Sequence, residues 1–474
     1  MWNKFFKNTF WLTAGEIGGR LLRIVLVLYA ARVLGVANWG IFSYALSLAA
    51  LFTIIADIGL GAVMTREIVR DPENKTQYLS NSLIIKTALI ILTSIAIIFV
   101  TPLITNLTLS STLLIFIALL VITDNIRLFT SSLNRALEKM HWEAIANIIT
   151  QLSIMILGVW ILIKNPTAEG LGISYLAGSA IGAIFSLWTV KEYIKNFFGR
   201  LDKILIKRLL ESSWSIALLG VLGSIMLNTD IIMLGWLRGA EDVGYYSSAQ
   251  KIIFTLYVLP SLIGTAAFPS LVKLANKNKE GFRELLEKSL KIAFLIAIPI
   301  TIGGLVIGSE LMSIFFGKEY LIASTTFKIL LLSLVLAYPT TILGNALLAY
   351  DQEKQFLKYA GVATLGNIIL NSMLIPFWGA EGAAIATVAT QIISNGLIWW
   401  KLKKFNQFTI VNKLSKIFIS SAIMGAVTIL MYYWQINFFL IIFTSIAVYL
   451  GTLYLIKESI IFELKNFIYA RPSN

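Results

Sequence analysis

Three charged residues sit where an apolar chain has least reason to carry them. In the stretch AGEIGGRLLRIV, residues 14–25, Glu16, Arg20 and Arg23 follow one another at i, i+4 and i+7. On an α-helix that spacing puts all three on one face. The stretch lies inside a longer apolar run, and a charge held at mid-bilayer costs about 2.5–3.5 kcal/mol on insertion scales. Two chemistries answer to the pattern. Glu16 and Arg20 are spaced to form an ion pair that staples helices together. Arg23 is then left over, and a guanidinium at that depth offers its planar fork to an anion such as phosphate.

Other charges are set in apolar segments as well: Asp57, Lys86, Asp124, Arg127, Asp230, Lys251 and Lys328. Lys251 has no carboxylate three or four residues away, which makes it an anion-binding candidate beside Arg20 and Arg23. Asp124 and Arg127, at i and i+3, are spaced either to satisfy each other or to leave Arg127 facing a lumen. Lys86 and Lys328 lie near segment ends and are expected to snorkel to headgroups. Glu16, Asp57, Asp124 and Asp230 are the candidates for carrying a coupling proton or sodium ion, because a buried carboxylate is costly unless paired or functional. Asp57 reads equally as a helix packer, and Asp230 as a partner for Lys251 across a hairpin.

The elements that must hold these groups are membrane helices. The chain has 474 residues, 57% of them hydrophobic and 14% charged, with a mean hydropathy of +0.81. That excludes a soluble globular domain. Apolar segments of about 20 residues, the length that crosses a ~30 Å hydrocarbon core, recur from residues 8–34 to residues 438–456. We count fourteen, which predicts an all-α polytopic membrane protein with both termini on one side. The first apolar run has no small-residue cleavage site after it and reads as a retained helix. Cysteine is absent, so no disulfide or thiol chemistry is expected.

Loops on the N-terminal side carry 29 of the 39 Lys and Arg residues, and loops on the other side carry three. This asymmetry places both termini in the cytoplasm and the protein in the cell membrane. It also accounts for the net charge of +14 as a matter of topology and contact with anionic lipid, not of nucleic-acid binding. The outer segment 309–325 is apolar and is expected to lie along the interface.

GVANWGIFSYA, 35–45, and GAEDVGYYSSA, 239–249, match at an offset of 204 through Gly35/Gly239, Gly40/Gly244, Ser43/Ser247 and Ala45/Ala249. AEGLGIS, 168–174, and AEGAAIA, 380–386, match at an offset of 212. The chain therefore divides into a six-span lobe over 1–208, a second over 209–415 and two added spans with a tail over 416–474. Six spans per copy means both copies enter from the same side, a parallel repeat about an axis along the membrane normal.

Phosphate-binding GxxxxGK[ST] and metal-ligand clusters are absent from the pattern, so no catalytic residue, metal or cofactor is expected. Short outer loops leave little room for the acid/base groups of a glycan polymerase or ligase. Taken together, ARVLGVANWGIFSYA, NTDIIMLGWLRGAEDVGYYSSAQKI and GAEGAAIATVATQ resemble the polysaccharide (oligosaccharide-lipid) flippases. This is the Wzx-like branch of the superfamily that includes multidrug extruders and lipid II flippases. The resemblance spans essentially the whole chain. It implies two six-helix lobes around a cationic cavity and alternating access for a polyprenyl-(pyro)phosphate-linked oligosaccharide. It also implies pyrophosphate binding by Arg20, Arg23 and Lys251, a hold on the polyprenyl tail by spans 13–14, and other glycan-assembly membrane proteins as neighbours. The lipid II branch carries an arginine in span 2; here that span has Asp57. A drug/cation antiporter and a glycan-assembly enzyme are the competing readings, and the cationic face of span 1 argues against the first.

Overall fold

A computed structural model describes residues 2–107, 109–193 and 201–460. Part of the basic 191–208 linker and the C-terminal tail from residue 461 therefore lie outside the described residues, as does the side chain of Lys4.

Every long element is a helix: α1 (Trp2–Asp57), α2 (Leu60–Arg70), α3 (Lys75–Ile95), α4 (Thr101–Ile104), α5 (Ser111–Ala136), α6 (Met140–Lys164) and α7 (Ala168–Thr189) come first. Then follow α8 (Lys203–Leu237), α9 (Ala240–Leu256), α10 (Val258–Leu274), α11 (Lys279–Phe316), α12 (Ala323–Ala349), α13 (Glu353–Lys403), α14 (Ser415–Tyr433) and α15 (Phe438–Leu455). Twelve stretches among the described residues are long and apolar enough to cross a membrane. Two of these contain a break. As one rod, the 56 residues of α1 would reach about 84 Å, more than twice the hydrocarbon core. Gly35 (φ 70°) breaks α1, and Gly379 (φ 50°) breaks the 51-residue α13, each in a conformation that glycine reaches without a Cβ penalty. Counting each half gives the fourteen crossings. Large apolar side chains such as Leu103, Phe377 and Leu455 stand outward, a surface suited to lipid. The outer segment differs from expectation: α11 runs on to Phe316 and a 3₁₀ turn carries Tyr320, both buried, so the segment packs as well as lying at the boundary.

The chain forms two compact units, Met1–Ser247 and Ser248–Asn474. In the first, span 1 runs parallel to α6: Gly15 meets Ala144, Gly19 meets Asn147 and Gln151, and Leu26 meets Gly158. The chain reverses at Gly35, and span 2 runs antiparallel to α8, with Tyr44 against Gly235 and Ile54 against Gly220. Repeat symmetry is visible in one contact. A Cβ on Gly40 would fall far inside van der Waals distance of the Ala240 carbonyl oxygen, and one on Gly244 likewise inside that of the Val36 carbonyl oxygen. At an offset of 204, Val36 corresponds to Ala240 and Gly40 to Gly244, so the two contacts exchange. The parallel packing of α5 on α7 is bridged by Thr123–Ser179, Thr130–Ser186 and Asn134–Thr189, at sequence separations of 55–56. In the second unit Thr340 bonds Asn395 at a separation of 55.

The second unit uses one device twice. A proline lacks the N–H that would pair the carbonyl four residues back. Pro299 frees the Leu295 carbonyl, and the Tyr449 hydroxyl of α15 donates to it at 2.7 Å. Pro260 frees that of Leu256, and the Tyr338 hydroxyl donates to it at 2.9 Å. Buried Glu287 on α11 takes the Thr409 N–H and the Lys413 ammonium, which ties the 404–414 loop down.

Candidate functional site

Span 1 presents the charges of the opening stretch together. Arg20 Nε lies 2.8 Å from Glu16 Oε1, the expected i, i+4 pair, with both side chains about half exposed. Arg23 Nε donates to the neutral amide oxygen of Gln151 on α6 at 3.2 Å. Gln151 is buried and was not singled out from sequence, because nothing local marks which polar residue on another span will face an arginine. Among the described residues no carboxylate pairs with Arg23, so the face keeps one uncompensated positive charge.

The part of α1 beyond Gly35, α5 and α8 line a cavity of about 520 Å³ within the first unit. Its polar wall comes from Thr53, Asp124, Ser224 and Asn228. Asp124 Oδ1 accepts from the Ser179 hydroxyl at 2.7 Å, which in turn accepts from Thr123 at 3.0 Å. Arg127 Nη2 reaches the same oxygen at 3.5 Å, so the i, i+3 pair forms but loosely. A single carboxylate with an ion-pair partner, a hydroxyl relay and cavity access can exchange a proton or a small cation.

Repeat symmetry links this cavity to span 1. Carried through the continuous helices at an offset of 204, Glu16, Arg20 and Arg23 correspond to Gly220, Ser224 and Leu227. All three of those α8 residues line the cavity. The charged face of span 1 is thus the counterpart of a cavity-lining face of α8.

Asp57 behaves differently from a snorkelling neighbourhood. It ends α1, followed by Ile58 (φ 44°) and Gly59 (φ 71°), a left-handed break inside span 2. Its carboxylate pairs with the Lys86 ammonium of α3, whose side chain is only 2% exposed. The expectation that Lys86 snorkels is therefore corrected. The lysine is drawn inward because a counter-charge awaits it there, 11 residues and about 16 Å from the start of its helix. Asp230 is also closed in: it is buried and accepts a hydrogen bond from the Tyr246 hydroxyl across the α8–α9 turn. Lys251, on α9, is half-buried and belongs to the second unit. Lys328 is half-buried beside Gly308.

The second unit holds an apolar groove of about 600 Å³ among α9, α11, α12, α14 and α15. Leu295, Pro299, Gly303, Met424, Tyr449 and Leu453 are part of its wall. Its lining is almost wholly hydrocarbon, which suits an alkyl or isoprenoid chain and not a sugar.

Comparison with known proteins agrees with this architecture. A family described as "Polysaccharide biosynthesis protein" matches residues 5–275, and the MatE family matches 215–373. Two proteins of Haloferax volcanii are similar along most of their length. A "Probable low-salt glycan biosynthesis flippase" is 26% identical over 388 residues, covering 81% of each chain. A "Probable flippase" is 27% identical over 435 residues, covering 86% of each. Among solved structures, a lipid II flippase in an inward closed conformation superposes with a TM-score of 0.79 at 21% identity, covering 95% of this chain and 99% of that one.

Proposed function

The chain belongs to the polysaccharide biosynthesis protein family, and from that premise we propose that it is a flippase for a lipid-linked oligosaccharide. The substrate is a polyprenyl-(pyro)phosphate oligosaccharide carried from the cytoplasmic to the outer leaflet by alternating access, for assembly of cell-surface polysaccharide. The relatives are flippases by name, and the chain is a transporter and not an enzyme.

The observation that carries the substrate reading is the placement of Arg20 and Arg23. They lie on a face whose repeat counterpart lines a cavity, and among the described residues one carboxylate, Glu16, neutralises them. A surplus positive charge in a low-dielectric lumen binds a phosphate strongly and repels a cationic drug. Lys251 and Arg127 are assigned to the same phosphate group as it moves. The apolar groove against α14 and α15 takes the polyprenyl tail. Residues 1–208 and 209–415 act as the two lobes, with 416–474 as an addition that supplies the groove. Asp124 is the coupling carboxylate for a proton or sodium ion, because a cavity reaches it. Glu16 and Asp57 are held by their cations more closely than Asp124 is by Arg127, and Asp230 is closed by Tyr246. Both termini face the cytoplasm of the cell membrane, in keeping with the Lys/Arg bias.

The test is reconstitution in liposomes with a lipid-linked oligosaccharide labelled on its sugar. Protein-dependent appearance of unmodified sugar on the opposite face is the expected result. Movement of a cationic drug with no movement of the lipid-linked sugar would transfer the chain to the extruder reading, which the MatE match over 215–373 keeps in view. A chemically altered sugar would point to an enzyme.

A further inference from the structure

A second polar cavity, of about 480 Å³, lies away from the lumen, where the start of α11 meets the end of α13. Its wall holds Lys279, Arg283, Lys403 and Lys404 against a single carboxylate, Glu280. Glu280 takes Arg283 at 3.0 Å, and no ion pair is formed by the three lysines among the described residues. The floor is rigid. Asn406, buried, donates to the Lys279 carbonyl at 2.8 Å, and Phe405 stacks on Tyr350, which packs on Phe282. The first turn of the 38-residue α11, whose Gly281 N–H is capped by the Asn278 side chain, adds its positive dipole end to the same space.

The surroundings are those of a membrane surface. Lys404 Nζ stands 3.6 Å from the ring centre of Trp400, and Lys403 lies over Trp399 and Phe408. Trp400 is 57% exposed, and Ile392 and Ile393 are exposed on the preceding turns of α13. Tryptophan at a helix end with lysines just beyond it marks the headgroup level. A lipid-facing apolar track thus leads directly to a pocket with four cations and one anion.

We propose that this pocket binds the phosphodiester headgroup of an anionic phospholipid, with the acyl chains lying along the Ile392–Trp400 face of α13. The lipid is a resident of the bilayer and not the transported substrate. Only the naming of its leaflet as cytoplasmic rests on the topology proposed above. Basic pockets at helix ends hold such headgroups by charge and by donor geometry together.

The test uses the full chain purified from vesicles of phosphatidylcholine and phosphatidylglycerol, with retained lipid counted by native mass spectrometry. Wild-type protein is expected to retain the anionic lipid at least about tenfold over the zwitterionic one. The variant Lys279→Gln/Arg283→Gln/Lys403→Gln/Lys404→Gln is expected to lose that preference. A control removing as many charges elsewhere, Lys203→Gln/Lys207→Gln/Lys354→Gln/Lys358→Gln, should keep it. Melting temperatures of the three proteins establish that each is folded, and conversion of Lys403 and Lys404 alone gives a milder variant. Undiminished retention by the folded pocket variant would overturn the proposal, as would equal loss in the control. Displacement of the lipid by millimolar inorganic phosphate, with phosphate itself retained, would overturn the lipid assignment in favour of a soluble anion. Failure of the flipping assay leaves this readout unaffected, so the two proposals fail separately.

Discussion

The Asp57–Lys86 pair allows the energetics of the first unit to be tested with an asymmetry as the signature. The two side chains differ in their access to the outside: 2% exposure for Lys86 and 27% for Asp57. Asp57→Asn leaves an ammonium in the protein interior with no counter-charge and no route to a headgroup. Breaking a buried pair in this way costs about 3–5 kcal/mol, a large share of a typical total of about 5–15 kcal/mol. Lys86→Met leaves the carboxylate, which retains an outlet, and the cost should fall to about 1–3 kcal/mol. The double variant Asp57→Asn/Lys86→Met removes both charges with little change of shape, so it should lie within about 1 kcal/mol of wild type. The coupling energy between the positions then comes to about 3 kcal/mol or more. Denaturant unfolding of the protein in mixed micelles measures all four corners of the cycle. If Asp57→Asn were no more destabilising than Lys86→Met, the argument from burial would be refuted. Because Asp124 is the proposed coupling carboxylate, the double variant should also transport; a stable but inactive double variant would move the coupling role to Asp57.

Four further outcomes are expected. Arg23→Gln should abolish flipping while Arg23→Lys leaves a fraction of it, since lysine keeps the charge and loses the fork; full activity of a well-folded Gln variant would remove the phosphate role. Tyr449→Phe should cost about 1–3 kcal/mol by leaving the Leu295 carbonyl unpaired, against no more than about 0.5 kcal/mol for Tyr433→Phe at an exposed position. Gly40→Val and Gly244→Val should destabilise by similar amounts, about 1–3 kcal/mol each, and clearly unequal melting-temperature losses would contradict the exchange of contacts. At Glu458, burial alone would raise the carboxyl pKa, but the Lys291 hydrogen bond and charge outweigh it and hold the group below its ordinary 4.5. A lowered folded-state value means stability fully present above 4.5 and lost as pH falls through the folded value; Glu458→Gln should flatten the melting-temperature profile there.

What could be read from the chain follows from where each interaction is local. The spans are legible because crossing a bilayer requires about 20 apolar residues in sequence, and the two breaks because each falls at a glycine. Glu16–Arg20 and Asp124–Arg127 are legible because i, i+3 and i+4 neighbours meet on any helix. Asp57–Lys86 is hidden, since the partners are 29 residues apart and on different spans. Their meeting depends on which faces of spans 2 and 3 turn together, and hydropathy cannot report that when both faces are apolar. Gln151 is hidden for the same reason. So is Tyr449, whose value lies in reaching, from 154 residues away in the chain, the carbonyl that the one proline of α11 leaves unpaired.

The exchanged contact of Gly40 with Ala240 and Gly244 with Val36 also has the form of a two-fold interface. An interface in which i meets j and j meets i is what a two-fold homodimer makes with itself. In a pair of identical molecules any substitution falls on both sides of the axis at once. Two copies joined in one chain are free of that constraint, and span 1 uses the freedom. Glu16, Arg20 and Arg23 correspond to Gly220, Ser224 and Leu227 in the second copy. One helix carries the charged wall and the other stays plain, a division of labour open to a single chain and closed to a symmetric pair.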